Sequence, residues 1–266
     1  MGVIAGNLIH VDGANTVAAW KVRYKGQLAD YRGSNTQSGV GRELGNSDWR
    51  GIYRAYGHTP LYFPGETFTF TGTVDGTNGA TGAAICDRIR VWWDIEQGKK
   101  IQHEVSFSAM GALTLGAAAA SDSTSPDPPT SKGMFIKLNG TAQTDIRRME
   151  LIVVAGNKPY VSSTTDGVTK RAVGPIDATL NFSLYQDDPS LLPSVALDYG
   201  YVASLYVTST TYWELAWMMC DDIDYGGDHE GEENVGGTVG MSFNGFSGTT
   251  AGWIKTPAGT AKWPAA

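Results

Sequence analysis

Residues 42–64 read RELGNSDWRGIYRAYGHTPLYFP, and residues 171–193 read RAVGPIDATLNFSLYQDDPSLLP. An offset of 129 places Arg42 on Arg171, Gly45 on Gly174, Asp48 on Asp177, Tyr56 on Tyr185, Pro60 on Pro189 and Pro64 on Pro193, with Leu44 over Val173 and Tyr53 over Phe182. Turn-formers and large apolar residues thus recur in one order, which composition alone does not preserve. The flanks follow: residues 19–24 fall on 148–153 at the same offset, and Ser106, Phe107, Thr114 and Gly116 fall on Ser242, Phe243, Thr250 and Gly252 at an offset of 136. Ordered anchors of this kind predict an internal duplication whose second copy has gained seven residues. The expected organisation is a first β domain over 1–116, a Pro/Ser/Ala-rich linker over 117–132, a second β domain over 133–252 and a tail over 253–266.

Composition sets the class. Thirty-four Gly and eleven Pro, together with only 18% charged residues, describe short strands and many turns and not helices, so the class is mainly β with at most one short helix candidate per domain. The net charge of −7 is unevenly divided, with 11 Lys/Arg against 12 Asp/Glu in 1–129 and 9 against 15 in 130–266, or −1 and −6. Gripping nucleic acid by phosphate neutralisation needs clustered Lys and Arg, which this balance lacks. Cys86 and Cys220 lie far apart and outside metal spacing, and read as packed thiols in a reducing compartment. No leader and no span-length apolar run is evident, so the chain is expected to be soluble and unexported, with no membrane partner.

Along the chain, a first short strand should end near Asp12 and Gly13, and a second should carry Trp20, Val22 and Tyr24 on one face and Lys21, Arg23 and Lys25 on the other. Residues 29–48, with Ala29, Tyr31, Arg32, Arg42 and Asp48, read as a long polar loop, a length uncommon in a compact domain unless it binds something. Aromatics at Trp49, Tyr53 and Tyr56 suit either one face of a short helix or an edge strand. Phe68 and Phe70 alternate with threonines in the clearest strand, residues 75–83 read as a turn region, and residues 88–95 and 103–107 form a hairpin through Gln97, Gly98 and Lys99. The second copy repeats this order with a shorter loop over 162–174, holding Ser162, Asp166 and Arg171.

Catalytic and cofactor patterns fail on inspection. His10, His58, His103 and His229 are scattered and read as surface histidines, and Gly245-Phe246-Ser247-Gly248 misses the Gly-x-Ser-x-Gly spacing of a nucleophile elbow. Residues 222–233 hold Asp222, Asp224, Asp228, Glu230 and Glu233, with Gly at the sixth place and Glu at the twelfth, as a calcium loop requires. Gly226 at the fifth place and the absence of helical flanks weigh against calcium; a solvated acidic loop that also accounts for the seven extra residues is the alternative. The expectation is a protein without catalytic residues, cofactor or metal.

The segment Gly45-Asn46-Ser47-Asp48-Trp49-Arg50-Gly51, running into Tyr53, Pro60, Pro64-Gly65-Glu66 and Phe68-Thr69-Phe70, resembles the tail tube proteins of long-tailed bacteriophages. The resemblance covers both copies through diffuse pattern. It implies a β-sandwich or barrel flanked by a helix, six domains per ring, and stacked rings that conduct double-stranded DNA without specific binding. It further implies loops 29–48 and 162–174 reaching to the adjacent ring, and partners among terminator, tape-measure and baseplate proteins; the internal repeat itself gives the expected core of Tyr53, Tyr56, Pro60, Pro64, Phe182, Tyr185, Pro189 and Pro193. The location would be the virion tail, assembled in the host cytoplasm. Two domains per chain make the ring a trimer, and the acidic balance predicts an acidic lumen. A capsid decoration or other virion structural protein, or a carbohydrate-binding β-sandwich, fits the same site-poor composition.

Overall fold

The computed structural model describes residues 10–11, 16–32, 40–118, 129–143, 145–165, 167–185, 192–193, 200–226, 236–247, 250–258 and 261–263. Among these residues there are strands and no helix. In chain order they are β1 (His10–Val11), β2 (Val17–Tyr31), β3 (Gly41–Tyr56), β4 (Thr67–Thr73), β5 (Asn78–Asp94), β6 (Gln102–Ala117), β7 (Phe135–Leu138), β8 (Thr141–Gln143), β9 (Ile146–Ala155) and β10 (Lys158–Tyr160). There follow β11 (Lys170–Ala172), β12 (Ile176–Tyr185), β13 (Tyr201–Tyr206), β14 (Tyr212–Gly226), β15 (Gly236–Phe243), β16 (Phe246–Ser247), β17 (Thr250–Ala251), β18 (Ile254–Lys255) and β19 (Ala261–Trp263).

Fifteen of these strands form one antiparallel sheet, ordered β2-β3-β6-β5-β9-β12-β15-β14-β13-β7-β8, with β4 and β1 branching from β5 and with β18 and β19 from β14. It is not closed into a barrel. The first half therefore runs β2-β3-β6-β5, the second β9-β12-β15-β14, and the pairing of β5 with β9 makes them continuous. Pairing registers recur between the halves. Trp20 faces Tyr53 on β2 and β3, and Met149 faces Phe182 on β9 and β12, both partners displaced by 129. Cys86 faces Phe107 and Ile89 faces Val105, while Cys220 faces Met241 and Ile223 faces Val239, all displaced by 134. A β-bulge follows each cysteine, at Asp87 and at Asp221. Each bulge aspartate accepts a hydrogen bond from the serine across the ladder, Ser108 and Ser242 respectively.

Alternation explains which faces are dry. Trp49, Tyr53, Phe70, Phe107, Ile89, Val91 and Trp93 are buried on the inner face of the first half, and Leu151, Val153, Leu180, Phe182, Val239 and Met241 on that of the second. Phe107 is the hub of the first: its ring contacts those of Trp49, Tyr53, Phe68 and Phe70 at centroid distances of 6.0, 6.4, 5.5 and 4.7 Å. Gly51 lies directly opposite it, and a Cβ there would sit 2.3 Å from the Phe107 ring. In the second half the same pair is Leu180 opposite Met241, two medium side chains in place of one large and none.

Several expectations are corrected. Ala29 and Tyr31 end β2, and Arg42 and Asp48 lie on β3, so the expected long loop is two arms of a hairpin whose tip, 33–39, lies outside the described residues. Trp49, Tyr53 and Tyr56 belong to β3; side chains four residues apart share a strand face as well as a helix face, and pairing with β2 and β6 decides for strand. The expected turn region 75–83 is largely β5, with only the Asp75 turn outside it, where Asp75 accepts from the Thr77 and Asn78 amides at 3.0 and 2.6 Å. Both ends of the expected linker pack on the first half: Ala117 belongs to β6, Ile101 donates its amide to Pro129 at 3.1 Å, and buried Ser131 bonds the Lys99 carbonyl at 2.8 Å. Residues 119–128 lie outside the described residues. Trp92 pairs Gln102 and Gly226 pairs Gly236, so both hairpins enclose nine residues, and the hairpin that begins in the acidic stretch is no longer than the other.

Candidate assembly surface

The face of the sheet opposite the core is largely polar, and the 162–174 loop meets it at Asp48. On the first half it presents Lys21, Arg23, Lys25, Arg50 and Arg54, all exposed, with Arg54 donating to Glu104 at 2.7 Å. The second half presents exposed Asp177, Asp222, Asp224 and Thr238 with half-buried Thr179, Asn181 and Ser183. The exposed charges named here divide between the halves, basic on the first and acidic on the second.

The seam between the halves shows how such edges join. Residues 88–94 of β5 pair antiparallel with 148–154 of β9, Arg88 facing Val154, Arg90 facing Ile152 and Asp94 facing Arg148. On the inner side Ile89 and Val153 face each other, each 0% exposed. On the outer side Arg90 is ion-paired with Glu150, and its guanidinium lies 5.2 Å from the Trp92 ring. At the rim Arg147 donates to both Glu96 oxygens at 3.0 and 3.2 Å and stacks 4.3 Å from the Tyr185 ring, whose hydroxyl donates to Glu96 at 3.1 Å. Those hydrogen bonds, Arg147 first, hold the Glu96 carboxyl below the usual range. The counterpart edges at the ends of the repeated order, β2 and residues 222–226 of β14, pair with no strand on their outer sides among the described residues.

Two of the residues expected to reach a neighbouring ring, Asp48 and Arg171, meet each other within the chain. Arg171, 3% exposed, donates to both carboxylate oxygens of Asp48 at 2.8 and 2.9 Å and to the Ala109 carbonyl at 3.0 Å. Beside them the Ser47 amide donates to Gly167 at 2.7 Å and the Thr169 amide to Ser47 at 2.9 Å. Ser162 starts the turn by accepting the Thr165 amide at 3.1 Å, and Gly167 supplies a φ of 71°; Asp166 lies outside the described residues. The shorter loop is therefore clamped to β3 of its own chain. Arg42 pairs with Asp30 at 3.1 Å, both 60% exposed, and Arg32 is exposed at the mouth of the hairpin tip.

Of the expected repeat core, Tyr53, Phe182, Pro60, Pro64 and Pro193 are buried, Tyr56 and Tyr185 are half-buried, and Pro189 lies outside the described residues. Asp222 and Asp224 sit on β14, exposed on one face, so the first places of the expected calcium loop are extended strand paired to β15. Asp228, Glu230 and Glu233 lie outside the described residues, and among those described no three His, Cys, Asp or Glu converge on a common point. His103 is fully buried, contrary to the surface position expected for it. Its Nδ1 lies 3.0 Å from the Gly57 carbonyl, and burial pushes its pKa down to about 4. Cys86 and Cys220 are free, buried thiols beside the two bulges. Among the described residues no helix is long and apolar enough to cross a membrane. No protein-family model matches the chain, and no curated protein shows significant sequence similarity to it.

Proposed function

We propose that the chain is a tail tube subunit of a long-tailed bacteriophage, an internally duplicated tail-tube domain of which three chains close a ring of six units. One unit spans the strands from β1 to β6 and the other those from β7 to β15. Rings stack into a conduit for double-stranded DNA, with terminator, tape-measure and baseplate proteins as further partners in the virion tail and assembly in the host cytoplasm. In this reading the protein is structural, with no catalytic residue and no cofactor.

The observation that carries the reading is the repeated pairing register. Two units with the same strand order, the same bulge and the same serine-to-aspartate bond across it lie side by side in one sheet, joined by β5 and β9. A head-to-tail join leaves one unsatisfied edge of each kind at the two ends, and heterologous contacts of that type close into rings when the rotation allows. The bipolar outer face supports passage of DNA: basic and acidic sectors alternate, so the duplex is not held by a continuous basic track. Native mass spectrometry and negative-stain imaging of the purified protein test the proposal. Three chains per ring with stacked tubes are expected, and monomers at all concentrations, or six chains per ring, would contradict it.

A further inference from the structure

We infer that β2 of one chain pairs antiparallel with residues 222–226 of β14 in a second copy of the chain, in the register that sets Lys25 opposite Asp222 and Arg23 opposite Asp224. The inference rests on the ring reading above and assigns the surface and the residues that close it. Its register comes from the internal seam, where Arg88 faces Val154 and Arg90 faces Ile152. Adding the offset of 134 to the β5 positions gives Asp222 and Asp224, and subtracting 129 from the β9 positions gives Lys25 and Arg23. The positions between them bring Ile223 opposite Tyr24 and Tyr225 opposite Val22.

Burial points to the same junction. Ile89 and Val153 are 0% exposed inside the internal seam, whereas their counterparts Ile223 and Tyr24 are half-buried and 49% exposed. Bringing Ile223 against Tyr24 covers an apolar ring that the isolated chain leaves in water. Charge agrees as well. Lys21, Arg23 and Lys25 line one edge and Asp222 and Asp224 the other, all exposed and without an ion-pair partner among the described residues. Opposite charges across an antiparallel pair are favourable and like charges directly opposite are not.

Charge also selects the order of units. Placing β2 against β5 in the same register would set Lys25 on Arg88 and Arg23 on Arg90, so the basic edge rejects β5 and accepts β14. Chains consequently add only in alternation, first unit to second unit.

Directly opposite residues on antiparallel strands have Cα atoms about 4.5 or 5.5 Å apart, within the span a disulfide bridges. The full chain carrying Lys25→Cys and Asp222→Cys, oxidised and run without reductant, should give a covalent ladder ending at three chains. Lys25→Cys with Asp224→Cys, displaced by two residues along the strand, should not. In an otherwise native chain, Asp222→Lys with Asp224→Lys should abolish rings, and adding Arg23→Asp and Lys25→Asp should restore them. Efficient crosslinking in the displaced register, or charge reversal without effect on assembly, overturns the seam while the ring reading stands. Wild-type chains that stay monomeric overturn both, and a three-chain ladder without tubes keeps the seam and removes the conduit.

Discussion

Removing the Asp48 carboxylate isolates a guanidinium that the fold has almost completely dried. Arg171 is 3% exposed, and its three donated bonds go to Asp48, at 2.8 and 2.9 Å, and to the Ala109 carbonyl. Breaking one side of a buried pair costs about 3–5 kcal/mol, and the 26% exposure of Asp48 sets the expectation at the lower end, about 3 kcal/mol, for Asp48→Ala. For a domain of this size that is roughly 6–12 °C in melting temperature. Arg171→Met removes the charge itself, so the double variant should fall short of the summed single costs by more than about 1.5 kcal/mol, a coupling read from denaturant midpoints in a double-mutant cycle. Hydrogen exchange supplies an independent readout, because the Ser47 and Thr169 amides bond across the same junction and should lose protection together. Additive single effects, or an Asp48→Ala chain as stable as wild type with only ring stacking impaired, would refute the intrachain clamp and return both residues to the stacking surface.

Gly51→Ala should destabilise by about 1–3 kcal/mol because its Cβ meets the Phe107 ring at 2.3 Å, and adding Phe107→Leu should recover part of the loss, measured by chemical denaturation. His103 predicts acid sensitivity. Its folded pKa of about 4 lies below the ordinary 6.5, so stability is complete above pH 6.5 and falls by up to about 3 kcal/mol as pH descends to 4; His103→Gln should flatten that slope in urea midpoints. Millimolar calcium should leave the melting temperature unchanged, since Asp222 and Asp224 lie along a paired strand; a rise would show a site completed by residues 227–235. Assembled tubes should bind duplex DNA only weakly, and sub-micromolar binding that weakens with salt would contradict a face on which basic and acidic sectors alternate.

The β class, the hairpin through Gly98 and the inward sets at Trp20, Val22, Phe68 and Phe70 were legible because period-two alternation reports a sheet with one wet face. The register of β2 on β3 and of β9 on β12 followed the offset of 129 residue for residue. The pairing ladders do not repeat at the expected second offset: residues 86–90, CDRIR, and 220–224, CDDID, pair alike at a displacement of 134, whereas matching Ser106-Phe107 to Ser242-Phe243 gives 136. A slip of two keeps every side chain on its own face, so alternation could not expose it. Residues 29–48 were misread because an exposed hairpin arm has no buried face to impose a pattern. The Arg171 clamp was illegible for a different reason: its partner is 123 residues away, and nothing local distinguishes a buried arginine from a surface one.

The internal seam and the proposed one between chains differ in a way that bears on how the proposed rings would avoid premature assembly. Inside the chain, Ile89, Val91, Leu151 and Val153 make a dry junction that forms in cis at high effective concentration and needs no partner. The outer edges cannot be equally apolar, because a long uncharged edge strand templates indiscriminate pairing. Here Lys21, Arg23 and Lys25 discourage β2 from meeting another β2, and Asp222 and Asp224 discourage β14 from meeting another β14. In the proposed ring only the mixed encounter relieves both repulsions, and it is also the encounter that would cover Tyr24 with Ile223. On that proposal the charges that guard each edge in the free chain also specify its partner, and raising salt should relax both functions together, slowing correct closure while admitting like-edge contacts.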